Sequence, residues 1–186
     1  MELAKLIVSV FTPVTIVVVG FFVQRALAER NRIWKIGDRL ADKRMETYGK
    51  IGLDLNTIYC YVEDIGGFKD ETPDSIIAAK RSVDRTMFVY QAIWPEQTFK
   101  CFKEYMDSAF EPYGGGAGKD ARIRAQLEEK RAAFKEKWKG KEWDPNWDRR
   151  FTGERDQAHD RKYQELIKLL SKDLGLGNDS ALHVEE

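Results

Sequence analysis

The sequence predicts an all-α protein: a single N-terminal transmembrane helix followed by an antiparallel helical bundle on the cytoplasmic side. Three observations carry this. No charge occurs from Leu6 to Gln24. Beyond that run, apolar residues recur at steps of three and four rather than two. Gly and Pro punctuate the chain at intervals that suit helices. The segments expected are an extracytoplasmic stub over 1–5, a span over 6–24, a cytoplasmic domain over 25–175 and a tail over 176–186.

A helix rises about 1.5 Å per residue, so the uncharged run reaches just under the roughly 30 Å of a bilayer core. Its Val, Ile, Leu and Phe each favour insertion by about 0.3–0.6 kcal/mol, which outweighs Ser9, Thr12, Thr15 and Gly20. Pro13 is expected to kink the helix. A strand is favoured by "TIVVVG" in water, but a lone span in lipid must be helical to satisfy its backbone. Ala26-Leu27-Ala28 after Lys5 and the apolar run resembles a signal-peptide cleavage site. Against cleavage, the run exceeds the usual apolar region of such a signal, and Arg25 intervenes.

Orientation follows from charge. Only Lys5 is basic before the run, whereas Arg25, Arg30, Arg32, Lys35, Arg39, Lys43 and Arg44 follow it. Lys and Arg stay on the cytoplasmic side, so the N-terminus is expected outside and the rest inside a cell membrane. Arg25, Arg30, Arg32 and Lys35 are the candidate membrane-surface residues, each worth about 1 kcal/mol against anionic headgroups. Glu29, Asp38 and Asp42 dilute that patch. Cys60 and Cys101 suit a reducing compartment, although two cysteines could also form one disulfide.

The helix is expected to continue with Trp34, Ala41, Tyr48, Leu55 and Val62 at heptad spacing and Ile51, Ile58 and Ile65 beside them. That stripe suits either a core face or a self-associating coiled coil. Gly49 and Gly52 predict a bend, and Gly66-Gly67 a stop. Thr72 and Pro73 then cap and open a helix that presents Ile76, Val83, Met87, Tyr90 and Trp94, with Lys80 as the polar exception. Pro95 opens another, faced by Phe99, Phe102, Met106, Ala109 and Tyr113. After the loop "YGGGAGKDAR", Asp120 is expected to cap a helix with Ile123, Leu127 and Phe134 inward and Glu128 to Arg131 largely outward. The last helix is expected from about Thr152, with Tyr163, Leu166, Ile167, Leu170 and Leu174 inward and Gly175 as its stop.

Chemistry is sparse. The 31 Lys and Arg balance 31 Asp and Glu, which gives no indication of nucleic-acid binding. "GGGAGKD" imitates the end of a phosphate loop, but Tyr113 stands where the first Gly is needed and Asp120 where Ser or Thr must hold magnesium. His159 and His183 lie far apart without helical partners, so no metal or other cofactor is expected. No catalytic residue stands out among the many carboxylates. In the break from Trp138 to Phe151, Trp143 and Trp147 must fold onto the bundle or contact a partner. The partners expected are therefore the lipid bilayer and a protein or second copy. The function expected is a non-catalytic tether, scaffold or membrane effector. The alternative is an enzyme or small-ligand receptor with a pocket between helices, lined by Tyr59, Tyr61, Tyr90, Trp94 and Tyr105.

Overall fold

The computed structural model describes the backbone of residues 2–111 and 120–176; up to residue 42, the side chains described are those of 21, 24, 25, 27–30, 35 and 37–42. The described chain is mostly helical, as the apolar spacing requires. It divides into two compact units, Met1–Asp42 and Lys43–Glu186. The first is helix alone and the second holds the hydrophobic core.

Helix α1 covers Glu2–Glu63 and runs through Pro13, Gly49 and Gly52 without a break, so the bend expected at the two later glycines does not interrupt it. Within the second unit, its Ile51, Leu55, Ile58 and Val62 are buried together. Half of the heptad-like stripe is thus spent inside the fold. The Leu6–Gln24 run falls in α1, but its side chains, apart from Phe21 and Gln24, lie outside the described residues. Among the described residues no helix is long and apolar enough to cross a membrane. The α1 helix stops where Asp64 and Gly66 adopt positive φ, 61° and 60°. An L side chain at Asp64 resists that conformation, so something must hold it there.

Helix α2 (Pro73–Val89) starts as the sequence predicts: Thr72 Oγ1 accepts from the Ser75 amide, and Ser75 Oγ accepts from the Thr72 amide. Its Ile76, Ile77, Val83 and Met87 are buried. It ends before Tyr90, short of the expected Trp94. Residues Gln91–Ile93 tighten into a 3₁₀ turn, and Trp94 is extended with ψ 142°, as a residue before proline prefers. Helix α3 (Glu96–Ala109) buries Phe99, Phe102, Tyr105 and Met106. Tyr113, and most of the glycine loop, lie outside the described residues.

Two short strands replace the end of the expected third helix and the start of the expected fourth. Strand β1 (Phe110–Glu111) pairs antiparallel with β2 (Arg122–Ile123), and Ile123 also bridges Phe151 in parallel. Asp120 consequently caps no helix. Its carboxylate instead accepts from the Ala121 amide and pairs with Arg81 and Arg150. Helix α4 follows over Leu127–Lys137 and α5 over His159–Asp173, later than the expected start at Thr152. A 3₁₀ segment at Pro145–Arg150, capped by Asp144, connects them. Helix α3 packs on α5, and α4 lies on the turn Phe68–Asp70. Leu166, Leu170 and Leu174 face inward as expected, and Gly175 ends the helix with φ 74°.

Candidate functional site

The four basic residues expected at a membrane surface lie on α1. Arg25, Arg30 and Lys35 are exposed, while the Arg32 side chain lies outside the described residues.

Trp143 and Trp147 come together on α4. Their rings meet edge to face at 5.1 Å, and each meets Phe134 the same way, at 5.5 and 5.4 Å. Pro145 between them starts the 3₁₀ segment, which brings both rings back onto one residue. Each indole N–H is satisfied: Trp143 donates to Asp148 Oδ1 and Trp147 to Asp74 Oδ2, both at 2.9 Å. Both side chains remain half-buried.

The five aromatic residues that could have lined one pocket are split among separate places. Tyr90 lies beneath Lys43 and Lys50, and Trp94 beneath Arg44. Tyr61 meets Lys130, while Tyr59 and Tyr105 flank His159. Arg44 also donates to the carbonyls of Ile93 and Asp173, which ties α1 to the end of α5.

Lys130 departs from the expected outward face: it is 3% exposed. Its ammonium donates to the Tyr61 carbonyl and to Asp64, and sits 4.6 Å over the Tyr61 ring and 5.1 Å over Phe68. Burial pulls its pKa below the ordinary lysine value, and Asp64 opposes that shift. The cation thus satisfies a carbonyl at the negative end of α1 and holds Asp64 in its positive-φ turn. The signal was in the spacing. Lys130 stands three residues after Leu127 and four before Phe134, on the inward face of α4.

Beside this lysine is an open groove of about 500 Å³, lined by Glu63, Asp64, Phe68, Glu129, Glu136 and Arg155. Arg155 Nη1 lies 3.4 Å from Glu63 and 3.9 Å from Asp64, and Lys69 pairs with Glu136 at 2.6 Å. Burial raises the Glu63 pKa despite Arg155. The groove offers mixed charge over an apolar floor. A cavity of about 10 Å³ beside Lys130, which shares Phe68 and Ala133 with the groove, has room for a single water at most.

His159 stands at the first turn of α5 and is fully buried. Ser108 Oγ donates to the Tyr105 carbonyl at 2.6 Å and lies 3.0 Å from His159 Nδ1. With its one proton turned to that carbonyl, the hydroxyl accepts from Nδ1–H, which assigns the neutral ring its tautomer. The imidazole therefore does not activate this serine as a nucleophile, because it accepts no proton from it. His159 Nε2 is left buried without a hydrogen-bond partner, as is Trp94 Nε1. Burial pushes the imidazole down to about 4. Again the spacing held a signal: His159, Tyr163, Leu166 and Leu170 follow one helical face.

Cys101 is buried and Cys60 half-buried, and both are free thiols. Among the described residues no group of three or more His, Cys, Asp and Glu is arranged to hold a metal ion. Comparison of the chain with protein-family models, with curated proteins and with solved structures finds no match.

Proposed function

We propose that the protein is a single-pass membrane anchor that carries a helical domain on the cytoplasmic side and acts without catalysis, through protein contacts, as a tether, scaffold or membrane effector. The observation that carries this reading is the uncharged Leu6–Gln24 run, followed directly by Arg25, Arg30, Arg32 and Lys35. The run falls within a helix, the form that satisfies the backbone of a lone span. The clean apolar character of the run favours a tether over a pore, since a pore wants a polar stripe. The half-buried Trp143 and Trp147, with Lys135, Lys137, Lys139, Lys141 and Arg149 near them in sequence, offer a contact surface for an acidic partner or a headgroup region.

Alkaline carbonate washing of membranes tests the anchor. The full-length chain stays in the pellet; release into the supernatant, or an N-terminus beginning at Glu29, refutes it. Protease added to spheroplasts spares the region after Asn31 until the membrane is permeabilised, and earlier digestion refutes the orientation. A small-ligand receptor is the second reading, favoured by the groove between Glu63 and Glu136. A thermal shift produced by one compound in a metabolite panel, and abolished by Arg155→Ala, selects that reading instead.

A further inference from the structure

We infer that the His159–Ser108 contact is an acid-sensitive latch: it holds the first turn of α5 against the last turn of α3 while His159 is neutral, and releases it when the imidazole takes up a proton. The geometry leaves no place for a second N–H. His159 is fully buried, Nδ1 is committed to Ser108, and Nε2 has no acceptor. A protonated ring would point a new, unpaired donor into the core, a costly arrangement. The ring also sits at the positive end of α5, which opposes a cation.

The surroundings on every side give the cation little support. From α1, Tyr59 stacks at 6.0 Å, while Cys60 and Glu63 act on the adjoining Tyr105. From α3 come Tyr105, stacked at 5.2 Å, and Ser108. On its own segment, Asp156 and Asp160 favour the imidazolium, and Arg155 and Lys162 oppose it. Neither carboxylate is hydrogen-bonded to the ring. Asp156 is taken by the Ala158 amide and Lys162, with Arg124 also acting on it, and Asp160 by the Tyr59 hydroxyl at 2.6 Å. Opening the first turn of α5 exposes the ring to water, where it can hold the proton.

The sign follows. The closed form holds the imidazole at about 4, against 6.5 when exposed, so the open form binds the proton more readily. Closure is fully favoured above 6.5 and weakens as pH falls toward about 4. From pH 7.5 to pH 4.5 the ratio of open to closed forms rises about 70-fold.

Hydrogen exchange on the full-length chain in detergent micelles, corrected for intrinsic rates, reads this ratio at the amides of residues 162–165, the first that are hydrogen-bonded within α5. The wild type is expected to lose about 70-fold protection there over that pH range, and His159→Gln no more than about threefold, because glutamine cannot titrate. Amides in α2 should change little in either protein. A flat wild-type profile overturns the latch. So does an equal response in H159Q, or an equal loss in α2, which would signify general acid unfolding. Should H159Q fail to fold, imidazole resonances of the wild type, assigned through His183→Gln, decide the matter. A His159 midpoint below about 5 with loss of α5 protection is the expected result, and a midpoint near the exposed value of about 6.5 with α5 still protected overturns the proposal.

Discussion

Replacing Lys130 by methionine removes one charge from the core while keeping an unbranched side chain of similar length. Three losses follow. The Tyr61 carbonyl, at the C-terminal end of α1, loses its donor, which costs about 1–3 kcal/mol when the group is buried. Asp64 loses its closest cation. Breaking a fully buried pair costs about 3–5 kcal/mol, but the Asp64 side chain is 29% exposed and Arg155 stands 3.9 Å away, so the lower part of that range applies. Cation–π attraction to Tyr61 and Phe68 is lost as well, at about 0.5–1 kcal/mol each, and the thioether's contacts with the same rings offset much of it. Removing the ammonium also returns the cost of its burial, which offsets part of these losses; the net destabilisation expected is about 3 kcal/mol, or a fall in Tm of about 6–12 °C for a unit of this size. Thermal and urea melts of the full-length chain at pH 7.5, followed by circular dichroism, measure it. Adding Asp64→Asn should recover part of the loss, because the second change removes the stranded carboxylate. A K130M protein within about 0.5 kcal/mol of the wild type, the scatter of ordinary surface substitutions, would refute the view that this lysine joins α4 to the end of α1.

Two further outcomes are expected. The double variant Trp143→Ala, Trp147→Ala should lose about 3–5 kcal/mol, less than two full core truncations because both rings are half-buried against Phe134. Unchanged stability with reduced binding to anionic liposomes would make the pair a contact surface instead. Alkaline unfolding should set in above pH 10: burial raises Tyr61 and Tyr105, and pushes Tyr163 up to about 12. Stability held by these neutral phenols is complete below pH 10, where the unfolded chain is also protonated, and is lost as pH climbs toward their folded values. Tyr163→Phe should soften that loss in a pH series of urea melts; an unchanged alkaline limb would refute the assignment.

What the sequence determined by itself is local. Thr72-Pro73 begins a helix because the hydroxyl answers an orphan amide three residues on, and proline has no amide to leave unpaired. Gly66 and Gly175 end helices because a residue without Cβ enters positive φ freely. The inward rows Ile76, Val83, Met87 and Leu166, Leu170, Leu174 follow from the helical period once one apolar face must leave water. Tertiary structure decided the polar residues and the short strands, since neither has a partner nearby in sequence. Phe110 and Ile123 pair as a two-residue ribbon, too short to declare a strand period. Asp120 has the character of an N-cap, but Arg81 and Arg150 arrive from elsewhere in the chain and claim its carboxylate. Lys130 and His159 each stood at an inward step of a helical row, yet the charge of Lys130 argued for solvent and nothing near His159 in sequence offered it a partner. A carbonyl and carboxylate at the end of α1 make burial tolerable for Lys130, and a serine on α3 with flanking tyrosine rings does so for His159. Apolar periodicity is an instruction each helix carries alone, whereas the burial of a polar group depends on a partner that only the folded chain brings within reach.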